Sequence, residues 1–504
     1  MMMAECSSSI GRQVGVLVHR SGNISHVIVG DAKGIFIPEL TNFPRGRRVL
    51  RGLRLIHTHL KSEGINQDDI TDLSLLRLDA LVVIGLKDGR PDSVSMAHLY
   101  SRDSESSYEI EGPFPFHGMD RELEDFDIFI SSLEEALKSV QTGYNVDDKR
   151  ERAVLVSVST ASRYDQEDSM EELRELAESS NVVVLDTVLQ RVKTMSPKYL
   201  MGQGKLKELV INAMNKGATI LIFDQDLNPS QSKDISEMTE LKVIDRSQLI
   251  LDIFARRAHS RDGKVQVELA QLRYRLPRLT GKGTAMSKLM GGIGGRGPGE
   301  MKLEVDRRRV RERIALLEKQ LKSLGRARQQ RKARRVAQGL PIISIIGYTN
   351  AGKSTLLNTL TRSRTVVEDK MFATLDTASR RLRFPREKDV IITDTVGFIR
   401  DLPGDLFAAF RATLEELEDA DLLLHLVDIS NPRFEQQIRS VETILSDLEL
   451  SDKPQLLVFN KTDLVEKGEA ASLCTRFKSI PVSALKPETF SDLLTALENK
   501  LWPH

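Results

Sequence analysis

A β-rich run, Ile342-Ile343-Ser344-Ile345-Ile346, leads directly into Gly347-Tyr348-Thr349-Asn350-Ala351-Gly352-Lys353-Ser354-Thr355. A buried strand, a glycine-bounded turn and a helix start in that order form a phosphate-binding loop. The glycines let successive backbone N–H groups curl round an anion, and the following helix points its positive end at the same place. Lys353 then reaches the β- and γ-phosphates, and the Ser354 hydroxyl is a ligand for Mg²⁺. The amphipathic Thr355-Leu356-Leu357-Asn358-Thr359-Leu360 supplies the helix. A nucleotide hydrolase on a doubly wound, mostly parallel α/β sheet is implied.

Later segments choose the base. Asp389-Val390-Ile391-Ile392-Thr393 ends in Asp394-Thr395-Val396-Gly397, where Asp394 holds Mg²⁺ through water and the Gly397 N–H senses the γ-phosphate. Gln455-Leu456-Leu457-Val458-Phe459 ends in Asn460-Lys461-Thr462-Asp463. The Asp463 carboxylate accepts from the N1–H and 2-amino group of guanine, a donor pair adenine lacks. Ser483-Ala484-Leu485 offers a backbone N–H to the guanine carbonyl. Phe372-Ala373-Thr374-Leu375-Asp376 is the candidate switch loop, with Thr374 as second Mg²⁺ ligand. Phe398 stands where many GTPases carry a water-orienting Gln, so intrinsic hydrolysis is expected to be slow until a partner orders a different group or reshapes the loop; a second reading, compatible with the first, has Phe398 packed under the switch while another side chain does the work.

At 504 residues the chain has room for two to four domains. Two cysteines, Cys6 and Cys474, far apart, support neither a disulfide framework nor a cysteine zinc site. No apolar run approaches the ~18–20 residues that span a bilayer, and the start lacks signal-peptide character, so a cytoplasmic protein is expected. Between Lys302 and Arg335 there are 14 Lys/Arg against 4 Asp/Glu, although the whole chain carries only +1. That local excess favours an RNA partner over a merely solvated helix face.

Short apolar runs at 153–158, 182–185, 218–223 and 242–244 alternate with helical stretches at 169–179 and 204–216, predicting a small α/β domain. Gly202-Gln203-Gly204-Lys205 within it reads as a helix N-terminus before a nucleotide site. Leu269, Leu272, Leu276 and Leu279 face a second seam of Ile314, Leu317, Leu321 and Leu324, predicting an antiparallel helical hairpin kinked at Pro277. Gly291-Gly292-Ile293-Gly294-Gly295-Arg296-Gly297-Pro298-Gly299-Glu300 forms its tip, suited to following RNA backbone closely.

The tip sequence, Asp245-Arg246-Ser247-Gln248-Leu249-Ile250-Leu251-Asp252-Ile253-Phe254-Ala255, Val265-Gln266-Val267-Glu268-Leu269-Ala270-Gln271-Leu272 and the Phe372–Asp376 loop together resemble the HflX family of ribosome-associated GTPases. The resemblance runs from about residue 151 to about 502. It implies docking on the large ribosomal subunit and its rRNA, the hairpin tip sent toward the peptidyl-transferase region, and splitting or rescue of ribosomes in the GTP state. It also implies ribosome-stimulated hydrolysis with a hydrophobic residue at position 398, and an association of the 151–255 domain with ATP. Leu375-Asp376-Thr377-Ala378 departs from the family's Asp-Pro-Thr, and the extra C-terminal domain of some members is not expected after His504. Four parts are expected: 1–150, an α/β extension of unknown role; 151–255, the α/β domain; 256–338, the basic hairpin; and 339–504, the P-loop GTPase domain. A monomer is expected. A ribosome assembly factor, or a GTP switch whose arm binds a protein partner, stays open beside ribosome splitting.

In the extension, Gly15–Val18, 27–30 and 80–84 read as strands and 73–78 as helix. His57-Thr58-His59 followed by Asp68, Asp69 and Asp72 is similar to the His-x-His plus Asp ligand set of JAB-type zinc metallohydrolases, without their Ser and Pro. The two readings are a Zn²⁺ site, with Asp72 as the third ligand, and solvated histidines at a strand end.

Overall fold

The computed structural model describes residues 1–38, 40, 43, 49–100, 108–116, 126–141, 150–258, 260–279, 302–336, 340–361, 378–384, 388–395, 397–400 and 417–502. They form two compact units, one of Met1–Val154, Thr194–Leu221 and Ile235–Lys242, the other of Leu155–Lys193, Ile222–Asp234 and Val243–His504.

The N-terminal sheet is built from β1 (Val14–His19), β2 (Ile24–Val29), β3 (Leu53–His59), β4 (Ala80–Lys87), β5 (Arg90–Leu99) and β6 (Tyr108–Pro115), in spatial order β2-β1-β3-β4-β5-β6. It is antiparallel except for the β3–β4 pair. With it go α1 (Met2–Ile10), α2 (Gln67–Leu76) and α3 (Phe126–Gln141). Alternation along β3 and β4 sends Leu53, Leu55, Leu81 and Val83 into one core with Ile70 and Leu73 of α2. Asn66 starts α2 with a reciprocal capping box. Its side chain accepts the Asp69 N–H at 3.0 Å, and the Asp69 carboxylate accepts the Asn66 N–H at 2.8 Å.

The second sheet has the order β10-β9-β7-β8, from β7 (Arg152–Ser159), β8 (Val183–Arg191), β9 (Ile220–Phe223) and β10 (Lys242–Asp245). Helices α4 (Arg163–Ser179), α5 (Gln203–Asn215), α6 (Pro229–Glu237) and α7 (Arg246–Arg257) alternate with the strands, as the apolar runs predict.

α8 (Arg261–Arg275) pairs with the 35-residue α9 (Lys302–Val336). Val265, Leu269 and Leu272 meet Ile314, Leu317 and Leu321, so the pairing of the two helices is as expected, while Leu276, Leu279 and Leu324 of the expected seam are not in this cluster and Val265 is. Pro277 does not kink a longer helix: α8 ends at Arg275 and Pro277 lies in the 3₁₀ turn Leu276–Arg278. The glycine-rich tip, 291–300, lies outside the described residues.

The third sheet follows the order β12-β13-β11-β14-β15-β16: β11 (Ile342–Ile346), β12 (Ala378–Arg383), β13 (Asp389–Asp394), β14 (Leu422–Asp428), β15 (Gln455–Asn460) and β16 (Ile480–Pro481). All pairs are parallel except β12–β13, where β12 caps an edge. Helices α10 (Lys353–Thr361), α11 (Phe434–Asp447), α12 (Lys467–Phe477) and α13 (Ser491–Leu501) complete a P-loop α/β domain. Its core joins Ile343, Ile345, Ile392, Leu424 and Val458 with Leu356, Leu493 and Leu497. Among the described residues no helix is long and apolar enough to cross a membrane.

Candidate functional site

Parallel register aligns the carboxyl ends of β11, β13, β14 and β15, so the loops that leave them share one edge of the sheet, where ligands of such sheets bind. Gly347 has φ 149°, and a Cβ there would lie 2.1 Å from the Leu426 carbonyl oxygen. Gly352 has φ 89°, and its Cβ would meet Asn460 Nδ2 at 2.4 Å. Both positions therefore require glycine. Asn350, at the exposed crest between them, adopts φ 62°.

The buried Lys353 ammonium donates to the carbonyls of Gly347 at 3.1 Å and Tyr348 at 2.7 Å, closing the loop on itself. Burial draws its pKa down to about 8, with the Asp394 charge opposing. Ser354 Oγ donates to Asp394 Oδ2 at 2.6 Å. These hard oxygen donors at the loop mouth fit Mg²⁺. Thr355 lies in the first turn of α10 beside them, and the Thr395 hydroxyl is spent on the Ile345 carbonyl at 2.7 Å. Gly397 lies so close to the loop that a Cβ would meet Thr349 Cγ2 at 2.9 Å and Lys353 Nζ at 3.0 Å.

Asn460 ties two loops together. Its Nδ2 donates to the Ala351 carbonyl at 2.8 Å and its Oδ1 accepts the Ala484 N–H at 2.9 Å. Lys461 Nζ pairs with Asp428 at 2.7 Å, and the Thr462 hydroxyl donates to the Val482 carbonyl at 2.9 Å. Asp463 and Leu485 are exposed at the rim, with Ser483 and Ala484 buried beneath. Phe372, Ala373, Thr374, Leu375, Asp376 and Val396 lie outside the described residues.

Phe398 is packed, which is compatible with both of its readings. The residue is 4 % exposed and sits in a cluster with Ile346, Leu417 and Leu423. Its backbone brackets the loop: the Phe398 N–H donates to the Gly347 carbonyl at 3.1 Å, and the Thr349 N–H donates to the Phe398 carbonyl at 2.8 Å.

Three features escaped the sequence. His425, on β14 beside Ile346, is buried and pushed down to about 4 by burial and the Lys353 charge, so it stands neutral behind that lysine. The Tyr348 hydroxyl donates to Glu172 of α4 and accepts the Arg400 N–H at 2.7 Å; burial and the Glu172 charge push the phenol pKa up. Glu172 also pairs with the buried Arg246, which reaches Asp224 at 3.0 Å, while Arg400 and Arg433 both pair with Asp168. The signal was out of reach of local pattern: Glu172 and Tyr348 are 176 positions apart.

Gly202 is an exposed N-cap of α5 and Lys205 pairs with Glu208 at 2.8 Å, so this stretch is a plain helix start and lends no support to ATP there. His57 and His59 are buried, which removes the solvated reading, and the carboxylate that meets them is Asp69 rather than Asp72.

Three family models match in chain order: GTP-binding GTPase N-terminal over 167–255, GTP-binding GTPase Middle Region over 257–335, and 50S ribosome-binding GTPase over 342–461. The chain is 45 % identical over 353 residues to the GTPase HflX of Caldanaerobacter subterraneus subsp. tengcongensis, covering 70 % of this chain and 81 % of that one. To the GTPase HflX of Escherichia coli it is 43 % identical over 322 residues, 64 % and 75 % of the two chains. A solved GTP-binding protein from the archaeon Sulfolobus solfataricus in complex with GDP is 26 % identical, with TM-score 0.38, over 69 % of this chain and 99 % of that one.

Proposed function

The chain belongs to the HflX family of GTPases and hydrolyses GTP to GDP and phosphate, and from this premise we propose that it binds the large ribosomal subunit and couples its GTP state to splitting or rescue of ribosomes. In this reading 339–504 is the G domain, 256–338 the basic arm that meets rRNA, 151–255 the α/β domain that precedes the arm, and 1–150 a separate extension.

GTP sits on the edge where β11, β13 and β15 end. Backbone N–H groups of Gly347–Thr355 cradle its phosphates, and Lys353 exchanges its two carbonyl partners for β- and γ-phosphate oxygens. Ser354 and Thr374 would hold Mg²⁺, with Asp394 acting through water, and the ion would supply positive charge against those oxygens. Asp463 selects guanine, while Asn460 holds the base loop at Ser483–Leu485 against the phosphate loop. Thr395, Val396 and Gly397 follow the γ-phosphate.

One observation carries the partner-dependent part. Phe398 is buried and its backbone is engaged with the loop, so the position that would orient the attacking water presents no side chain to it. A GTPase built this way idles until a partner supplies or reshapes that group. The basic α9 and the ribosome-binding family match support the large subunit as that partner. Sucrose-gradient sedimentation of intact ribosomes tests it: with a non-hydrolysable GTP analogue the protein should shift 70S particles to free subunits and travel with the large one. Unchanged 70S profiles at saturating protein would refute splitting.

A further inference from the structure

We propose that His57, His59 and Asp69 form a zinc-type divalent cation site in the N-terminal module, a structural clamp between the end of β3 and the start of α2. The two histidines are separated by one residue, so they project from the same face of β3, and Thr58 points the other way, accepting the Val14 N–H at 3.0 Å. Asp69 comes to them from the third position of α2. The three residues are 1 %, 2 % and 7 % exposed, and one ligand atom of each lies within 4.8 Å of the others.

The distances distinguish a coordination set from a plain histidine–aspartate pair. Asp69 Oδ1 is 3.2 Å from His57 Nε2 and Oδ2 is 3.4 Å from His59 Nε2. Neither contact has hydrogen-bond geometry, and all four imidazole nitrogens are buried without a hydrogen-bond partner. Burying polar atoms unsatisfied costs about 1–3 kcal/mol each. A tetrahedral ion with bonds of about 2.0–2.1 Å sets its ligands roughly 3.3–3.4 Å apart, close to the spacing of the two histidine–aspartate contacts.

The surroundings are shaped for it. Gly15 is the sheet partner of His57 and Gly85 that of His59. A Cβ on Gly15 would come within 3.2 Å of His57 Cβ, and one on Gly85 within 2.6 Å of Ser93 Oγ and 3.2 Å of Ser62 Cα. The capping N–H of Asn66, 2.8 Å from Asp69 Oδ2, fixes the carboxylate as outer partners fix metal ligands. Two imidazoles and one carboxylate select Zn²⁺ over Mg²⁺ or Ca²⁺, which take oxygen sets. Burial of all three ligands argues for a structural role, with a solvent-derived fourth ligand.

The test uses the full-length, tag-free protein, stripped with chelator and titrated with Zn²⁺ against a chromophoric competitor, with excess Mg²⁺ present. One equivalent should bind, Co²⁺ should give the visible absorption of a four-coordinate site, and the apo protein should melt at lower temperature than the zinc form. His57→Gln, His59→Gln and Asp69→Asn should each weaken binding at least about a hundredfold. Asp72→Asn should leave it within about threefold, because Asp72 lies outside the cluster. Far-UV circular dichroism and protease resistance of residues 1–150 show whether the N-terminal module of each variant is folded. Should a variant fail to fold, the wild-type stoichiometry still decides. Less than about a tenth of an equivalent at micromolar free Zn²⁺, or full binding retained by Asp69→Asn, overturns the proposal.

Discussion

Burial draws the Lys353 ammonium from its ordinary 10.5 to about 8, while the hydrogen bonds it donates run to two carbonyls. Nucleotide phosphates bound against it raise that value, so above pH 8 nucleotide binding takes up a proton. GDP affinity should therefore fall as pH rises from 8 to 9, by up to about tenfold per unit. Stability of the nucleotide-free protein moves the other way. The folded pKa is the lower one, so the native state releases its proton first, and stability rises with pH between 8 and 10.5. Fluorescent-GDP titrations and denaturant melts over that range check both signs; an affinity flat from pH 7 to 9 contradicts the reading of Lys353. At the base end, Asp463→Asn removes the acceptor for two guanine donors. It should weaken GTP by about 2–4 kcal/mol and shift preference toward XTP. Competition binding decides, and unchanged preference for GTP would remove Asp463 from the base pocket.

Helix α4 and the phosphate loop communicate through charge that is largely out of water. Glu172 has a 12 % exposed side chain and is shared by Tyr348 and the 7 % exposed Arg246, whereas its neighbour Glu171 is 66 % exposed and pairs with Arg433. Breaking the buried arrangement leaves Arg246 undercompensated, so Glu172→Gln should destabilise by about 3 kcal/mol. Glu171→Gln should stay within about 0.5 kcal/mol. Equal midpoints in denaturant for the two variants would mean the network contributes nothing. The strands and loops of the G domain were legible because each motif is announced by its own β-rich run, and register then brings their ends together. The hairpin seam was legible through its three-and-four repeat. Helix α4 as a partner of Tyr348 was not, since no local pattern encodes a contact across 176 positions. Nor did sequence separate Asp69 from Asp72: both follow the histidines on one helix, and the capping box at Asn66 is what orients Asp69.

Across the molecule, the proposed cycle joins two properties that sequence places far apart: a G domain with Phe398 buried, and a basic helix that follows the glycine-rich 291–300 in sequence. Free protein should turn over GTP slowly, and large subunits should raise the rate at least about tenfold, equivalent to roughly 1.4 kcal/mol of barrier. Replacing 291–299 by a two-residue turn separates the contributions. GTP affinity should hold, because the phosphate and base loops are carried by a domain with a core of its own. Splitting should be lost, because the arm no longer reaches rRNA. Stimulated hydrolysis should persist at least in part if the activating contact is made by the G domain itself. Sedimentation and phosphate release on the same preparation read both outcomes. A shortened protein that still split ribosomes at the normal rate would rule out the arm as the wedge and move the work to the G domain.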